Sequence, residues 1–311
     1  MRKAKKILVT GGAGFIGSHL VDALIERGHK VVVIDNLSTG KKENINKKAK
    51  FYKIDICSPK IGEIFKKEKP EICFHFAAQI NVRKSIEDPI KDAKINILGS
   101  LNVLENCKKY KTEKIVFASS AGVYGEAKIF PTPETHPGNP DSPYRITKLT
   151  VENYLKFYKE NSGLKFVSLR FSNVYGPRQD PKGEAGVVAI FIEKLLRGER
   201  PTIFGDGNQT RDFIFVEDAV SASLKAMEYK GEKEIFNIGT GIETSINELY
   251  KIISELLKTK IKPKYAPPKP GDLRRSCLNI SLAKRELKWE PKFDLNKGLK
   301  KTIKLFKIKY V

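Results

Sequence analysis

The stretch K-I-L-V-T-G-G-A-G-F-I-G-S-H-L, Lys6 to Leu20, decides the fold. Ile7, Leu8 and Val9 form a short apolar run without alternation, the pattern of a strand buried on both faces of a parallel sheet. Apolar residues then recur at helical spacing from Phe15 to Ile25, and Gly28 follows Arg27 as a helix stop. Gly11, Gly14 and Gly17 therefore fall on a strand-to-helix turn with G-x-x-G-x-x-G spacing. Without side chains, they let backbone N–H groups and a helix N-terminus close on a pyrophosphate. A second apolar strand, Val31 to Ile34, ends at Asp35. That acid is placed for a ribose 2′-hydroxyl, or else simply starts a turn. Turn and acid together point to a dinucleotide, and a carboxylate would repel a 2′-phosphate, which favours NAD over NADP.

Further along, Phe51 to Ile54 reads as a third strand ending at Asp55, which either meets an adenine edge or merely closes the strand. Ile72 to Phe76 is a fourth, tipped by the small Ala77 and Ala78, and Ile115 to Phe117 is a fifth. Between these two a long helix is expected after Pro89, with Asn96 inside it, either exposed or aimed at the sheet. Leu164 to Phe171 is a sixth strand. Strands and helices alternate to about residue 170, so the fold class is α/β, a doubly wound parallel sheet with right-handed crossovers. Residues 126–143 read as a surface loop and 202–207 as a tight turn. Residues 209–218 read as a strand entering a helix, 262–275 as a basic proline-rich segment, and the chain end as a short helix and a lysine-rich tail.

Composition narrows the function. The chain has 311 residues and a net charge of +22, but only 12 of its 58 basic residues are arginine. The lysines are spread throughout, without the arginine-and-aromatic stripe of a nucleic-acid binder. A positive field suits a diphosphate substrate. Abundant Lys and Glu with three Gln fits a thermophile's surface. No run of 18 apolar residues suggests a membrane span. The basic start followed by an apolar run is too glycine-rich for a signal peptide. Cys57, Cys73, Cys107 and Cys277 are scattered, which suggests a reduced cytoplasmic protein with no metal site.

Residues 142–148 read S-P-Y-R-I-T-K. Ser142 suits a helix cap and Pro143 its first position, so Tyr144 and Lys148 stand one turn apart on one face. An ammonium beside a phenol lowers its pKa from about 10, which makes Tyr144 a candidate general base or acid. A surface Tyr–Lys pair is the alternative reading.

Taken together, T-G-G-A-G-F-I-G-S-H-L, D-N-L-S-T-G, H-F-A-A-Q, S-S-A-G-V-Y-G, Y-R-I-T-K, N-V-Y-G-P-R-Q, G-D-G-N-Q-T-R-D-F-I-F-V-E-D and P-G-D-L-R-R-S run in order along nearly the whole chain. In these the sequence resembles the extended short-chain dehydrogenase/reductase family, and within it the UDP-hexose 4-epimerases. The resemblance implies a Rossmann-type NAD domain over 1–173, with returning segments near 210–240, and a smaller nucleotide-sugar domain over 174–311. It implies Ser120, Tyr144 and Lys148 as the catalytic residues. It implies Gly11, Gly14, Phe15, Ile16, Asp35, Asn36, Ser38, Thr39, Gly40, Asp55, Ile56, Ala77, Ala78, Gln79, Asn96 and Ser119 as cofactor positions. For the sugar nucleotide it implies Asn173, Val188, Thr202, Phe204, Arg211, Lys269 and Asp272.

The sequence departs from the pattern in two places: Lys269 stands where many of these epimerases carry an arginine and so lacks the bidentate fork, and Gln79-Ile80 stands where some have Leu-Lys. The implied reaction is transient oxidation of a UDP-hexose at C4 with tightly held NAD, in a homodimer formed through helices near 90–109 and 143–162. UDP-glucose and UDP-galactose are the foremost substrates, with N-acetylated or glucuronic sugars open. Dehydratases and decarboxylases of the family carry an acid where this chain has Ala121, which disfavours them. Arg178 either meets a C6 carboxylate or forms a surface ion pair.

Overall fold

The computed structural model describes residues 4–181, 186–268 and 271–310. In chain order the first half runs β1 (Lys6–Thr10), α1 (Phe15–Glu26), β2 (Lys30–Asp35), β3 (Lys50–Lys53), α2 (Ile61–Glu68) and β4 (Ile72–His75). Then come α3 (Val82–Glu87), α4 (Pro89–Ala93), a π-helical turn (Lys94–Leu98), α5 (Gly99–Lys109), β5 (Lys114–Ser120), α6 (Pro143–Ser162) and β6 (Lys165–Phe171). The second half holds β7 (Asn173–Tyr175), α7 (Val187–Leu196), β8 (Thr202–Phe204), β9 (Thr210–Arg211), β10 (Phe213–Phe215) and α8 (Val216–Glu228). It ends with β11 (Ile235–Ile238), β12 (Thr244–Ser245), α9 (Ile246–Leu257), β13 (Lys264–Ala266) and α10 (Leu295–Tyr310).

Seven strands form one parallel sheet in the order β11-β6-β5-β4-β1-β2-β3. Ile7, Leu8 and Val9 are fully buried, as the unbroken apolar run requires. One face packs against α1 and α8 through a core that includes Val9, Leu20, Leu24, Phe74 and Ala222. The other packs against α2, α5 and α6 through Leu8, Phe65, Val103, Ile115 and Leu155. The order reverses between β1 and β4, and in such sheets ligands bind at the carboxyl ends of the strands beside that switch point.

A separate core lies beyond β6. Helices α7, α9 and α10 close over Tyr175, Phe191, Phe213, Phe215, Leu249, Ile253, Leu299 and Ile303. Three strand pairs, β7–β10, β9–β12 and β8–β13, line this region.

Several sequence expectations change. The lysine-rich tail is the 16-residue helix α10, because Leu299, Ile303 and Phe306 recur one turn apart and all bury. The strand expected over 209–218 is split by Asp212, and the turn over 202–207 begins as strand β8. The proline-rich segment contains the short strand β13. The long helix after Pro89 is interrupted by the π-helical turn, which leaves Leu98 59% exposed. Ser142 occupies the cap position of α6, yet its hydroxyl makes no capping bond.

Candidate active site

The glycine turn is built so tightly that only glycine fits. Gly11 sits at φ +72°, and a Cβ there would lie 2.7 Å from Ala77 N at the tip of β4. A Cβ on Gly17 would lie 2.1 Å from Gly11 O. Gly14 caps α1 with no side chain, so the first-turn N–H groups of Phe15 and Ile16 have no intrahelical partner. Their side chains lean on the third core.

Asp35 is buried and accepts from Ala13 N at 3.0 Å and Leu37 N at 2.8 Å. It thus ties the turn to the loop Asn36–Gly40, on which Asn36, Ser38 and Thr39 are exposed. Asn36 donates to Asp55 at 2.7 Å, and Cys57 N donates to the same carboxylate at 2.8 Å. Burial pushes Asp55 up, but these bonds outweigh it and hold the carboxyl below its ordinary range. Ile56 is buried beside it. At the end of β5, Ser119 Oγ is buried without a partner among the described residues. Free first-turn donors, an acceptor at the β2 tip, the small Ala77–Ala78 tip and an unsatisfied hydroxyl at the end of β5 together fit a dinucleotide.

Ser120 ends β5 and its Oγ accepts from Gly122 N at 3.1 Å. Tyr144, half-buried in the first turn of α6, has Lys148 Nζ 5.9 Å from its ring centroid. The i, i+4 pairing read from the sequence therefore holds. Lys148 is only 4% exposed. Its ammonium donates to Ala118 O at 2.7 Å and lies 4.8 Å from the Phe117 ring centroid. Burial pulls Lys148 down to about 8, against the opposing charges of Asp92 and then Glu152.

Asn96 is buried, not exposed. Its Oδ1 accepts from Gln79 N at 2.8 Å and its Nδ2 donates to Gln79 O at 2.9 Å, bracketing the loop after β4. The Gln79 side chain turns inward, donating to Asp92 at 2.7 Å and to Asn81 O at 3.0 Å. The polar contact in doubt from the Gln79-Ile80 departure is thus spent within the protein.

On the far side, Asn173 is exposed at the start of β7, and Thr202 and Phe204 bound β8 half-buried. Val188 is 1% exposed within the core, so it can offer a ligand only main chain from the first turn of α7. Arg211 donates to Thr210 O at 2.7 Å. Burial lowers its pKa, against the Asp272 carboxylate and with Arg145. Arg145 donates to Gly271 O at 3.3 Å and pairs with Asp141. Two guanidinium groups thus gather at the Gly271–Asp272 turn, and Arg145, inside Y-R-I-T-K, carries no local sign of this placement. Lys269 lies outside the described residues. Arg178 pairs with Asp22 at 2.8 Å, the surface ion pair of its two readings.

Comparison with known proteins agrees with this geometry. Residues 7–239 match the model of the NAD dependent epimerase/dehydratase family. A UDP-glucose 4-epimerase of Mycolicibacterium smegmatis is 44% identical over 310 residues, covering 98% of this chain and 99% of that protein. The crystal structure of a UDP-glucose 4-epimerase with UDP-glucose from Thermotoga maritima superposes with a TM-score of 0.96 at 52% identity, covering 98% of this chain and 99% of that one. A UDP-N-acetylglucosamine 4-epimerase from Methanobrevibacter ruminantium, solved with UDP-N-acetylmuramic acid, gives a TM-score of 0.94 at 39% identity over 99% of each chain.

Proposed function

Because the chain belongs to the NAD dependent epimerase/dehydratase family, we propose that it interconverts UDP-glucose and UDP-galactose by 4-epimerisation. The observation that supports this reading is the Tyr144–Lys148 pair, with the Lys148 ammonium held on Ala118 O of β5. NAD, held by the turn from Gly11 to Ile16, by Asp35 and by the Ala77–Ala78 tip, supplies the hydride acceptor and donor at C4.

The chain's own residues handle the proton. Tyr144, as phenolate, removes it from the 4-hydroxyl and returns it once the 4-keto sugar has presented its other face. Ser120 hydrogen-bonds the same oxygen and fixes the direction of transfer. Lys148 keeps a positive charge beside the phenol, which favours the phenolate. Arg211, with the Asp272 turn and the Phe204 segment, anchors the uridine diphosphate, so the sugar turns over while its handle stays fixed. Residues 1–173 carry the cofactor in this reading and 174–311 mainly carry the sugar nucleotide.

No second substrate is needed, since epimerisation leaves the sugar at its original oxidation state. The helix faces of α4–α6 expose Ile90, Leu98, Ile146 and Phe157, which supports a homodimer through this surface. An N-acetylated sugar is the second reading, favoured by the 39% identical UDP-N-acetylglucosamine 4-epimerase. Tyr144→Phe tests the mechanism: the variant folds and keeps NAD, and its turnover falls at least about 100-fold. Unchanged turnover removes Tyr144 from the reaction.

A further inference from the structure

We propose that Asp92 is a positioning residue of this site, which acts on Lys148 through Thr147 and through the field of its own carboxylate. The proposal rests on Lys148 working as the cation beside Tyr144. Asp92 lies on α4, outside every motif quoted from the sequence, and is fully buried. Its Oδ1 accepts from Gln79 Nε2 at 2.7 Å and Asn96 Nδ2 at 3.0 Å, and its Oδ2 faces Thr147 Oγ1 at 3.1 Å. One carboxylate therefore joins the loop after β4, the π-helical turn and the catalytic helix α6 at the residue preceding Lys148.

The charges explain why an acid stands there. All three hydrogen-bond partners of Asp92 are neutral, and no ion pair joins it among the described residues. Lys148, equally buried, likewise has only a carbonyl as its described hydrogen-bond partner. Of the other groups near Lys148, Glu152 on α6 is neutralised by Arg170, 2.6 Å away on β6. His75 on β4, held between Thr10 and Ser100, is neutral, since burial and then the Lys148 charge press it down to about 3. Tyr144 is the group to be ionised. While Tyr144 keeps its proton, Asp92 is thus the one uncompensated anion among the described residues that answers this ammonium. The effect is mutual: burial raises the Asp92 carboxyl, while its three hydrogen bonds and the Lys148 charge draw it back.

Asp92→Asn separates charge from hydrogen bonding. The asparagine Oδ1 still accepts from Gln79 and Asn96. Its Nδ2 donates to Thr147 Oγ1, whose proton then serves Tyr144 O, 2.9 Å away. The charge alone is lost. In Asp92→Asn the Lys148 titration, followed by NMR of 13Cε-labelled lysine and assigned with Lys148→Arg, moves down by about one pH unit. The alkaline limb of kcat moves down with it, while NAD content and Tm stay near the parent values. Asp92→Ser, smaller and also uncharged, gives the same shift should the asparagine variant not fold.

A Lys148 titration unmoved in either variant overturns the proposal, as does loss of NAD or Tm with the limb in place. Failure of the underlying reading looks different: the parent enzyme itself then shows no alkaline limb coinciding with the Lys148 titration.

Discussion

Replacing Gly17 by alanine sets two effects of opposite sign against each other. Gly17 lies inside α1, where alanine is favoured over glycine by about 1 kcal/mol. Against this, its new Cβ would sit 2.1 Å from Gly11 O, 2.9 Å from Gly11 C and 3.1 Å from Gly12 Cα. These are backbone atoms of a turn that also packs on Ala77, so no side chain can swing aside. The turn must open by roughly 1 Å, and overpacking of that kind costs about 1–3 kcal/mol. The clash therefore wins or at worst cancels the helix gain, and global stability falls by about 0–2 kcal/mol.

In the proposed binding mode the consequence for the cofactor is larger, because the turn presents the first-turn N–H groups to the pyrophosphate. Losing even two such bonds to charged oxygens, at about 1.5–3 kcal/mol each, lowers affinity at least about 100-fold. The assay is NAD released per chain on denaturation of the purified protein, read beside Tm. Gly28→Ala is the control: φ there is +81° and nothing lies within 4 Å, so it strains the backbone without touching the cradle. Gly17→Ala with a full complement of NAD, or Gly28→Ala with an equal loss, refutes the reasoning.

Three further outcomes follow from the interior and the surface. Arg170→Met leaves Glu152, 1% exposed, with a buried unpaired charge and should cost about 3–5 kcal/mol by chemical denaturation, whereas Arg170→Met with Glu152→Leu recovers most of it. A double variant as unstable as the single would contradict this. His75 titrates at about 3 in the folded chain and about 6.5 unfolded, so the unfolded state takes up the proton first and stability drains as pH falls below 6.5, by up to about 1.4 kcal/mol per unit. His75→Gln should flatten that acid limb in urea titrations; an unchanged slope would assign it elsewhere. The proposed homodimer predicts a dimeric parent and monomeric Leu98→Glu with Phe157→Glu by light scattering, and a monomeric parent or a dimeric double variant would contradict that interface.

The sheet was legible because its strands are double-buried: Ile7–Val9, Val31–Ile34 and Ile72–Phe74 can be little else, and each glycine or small-residue tip marks where the chain turns. The glycine turn and the Tyr144–Lys148 spacing were legible for the same reason, since local geometry dictates them. What escaped is what depends on distant partners. Asn96 has no local sign that Gln79 will meet it, and Asp92 looks like a solvated helix acid until α6 folds over it. The apolar spacing of α10 was hidden among lysines, which outnumber the three residues that bury.

Epimerisation is tested by proton NMR of the purified protein with UDP-galactose and no added cofactor. UDP-glucose anomeric signals should grow to an equilibrium mixture, with Tyr144→Phe inert under the same conditions. A 4-keto-6-deoxy product, or no conversion by protein shown to carry NAD, would contradict it.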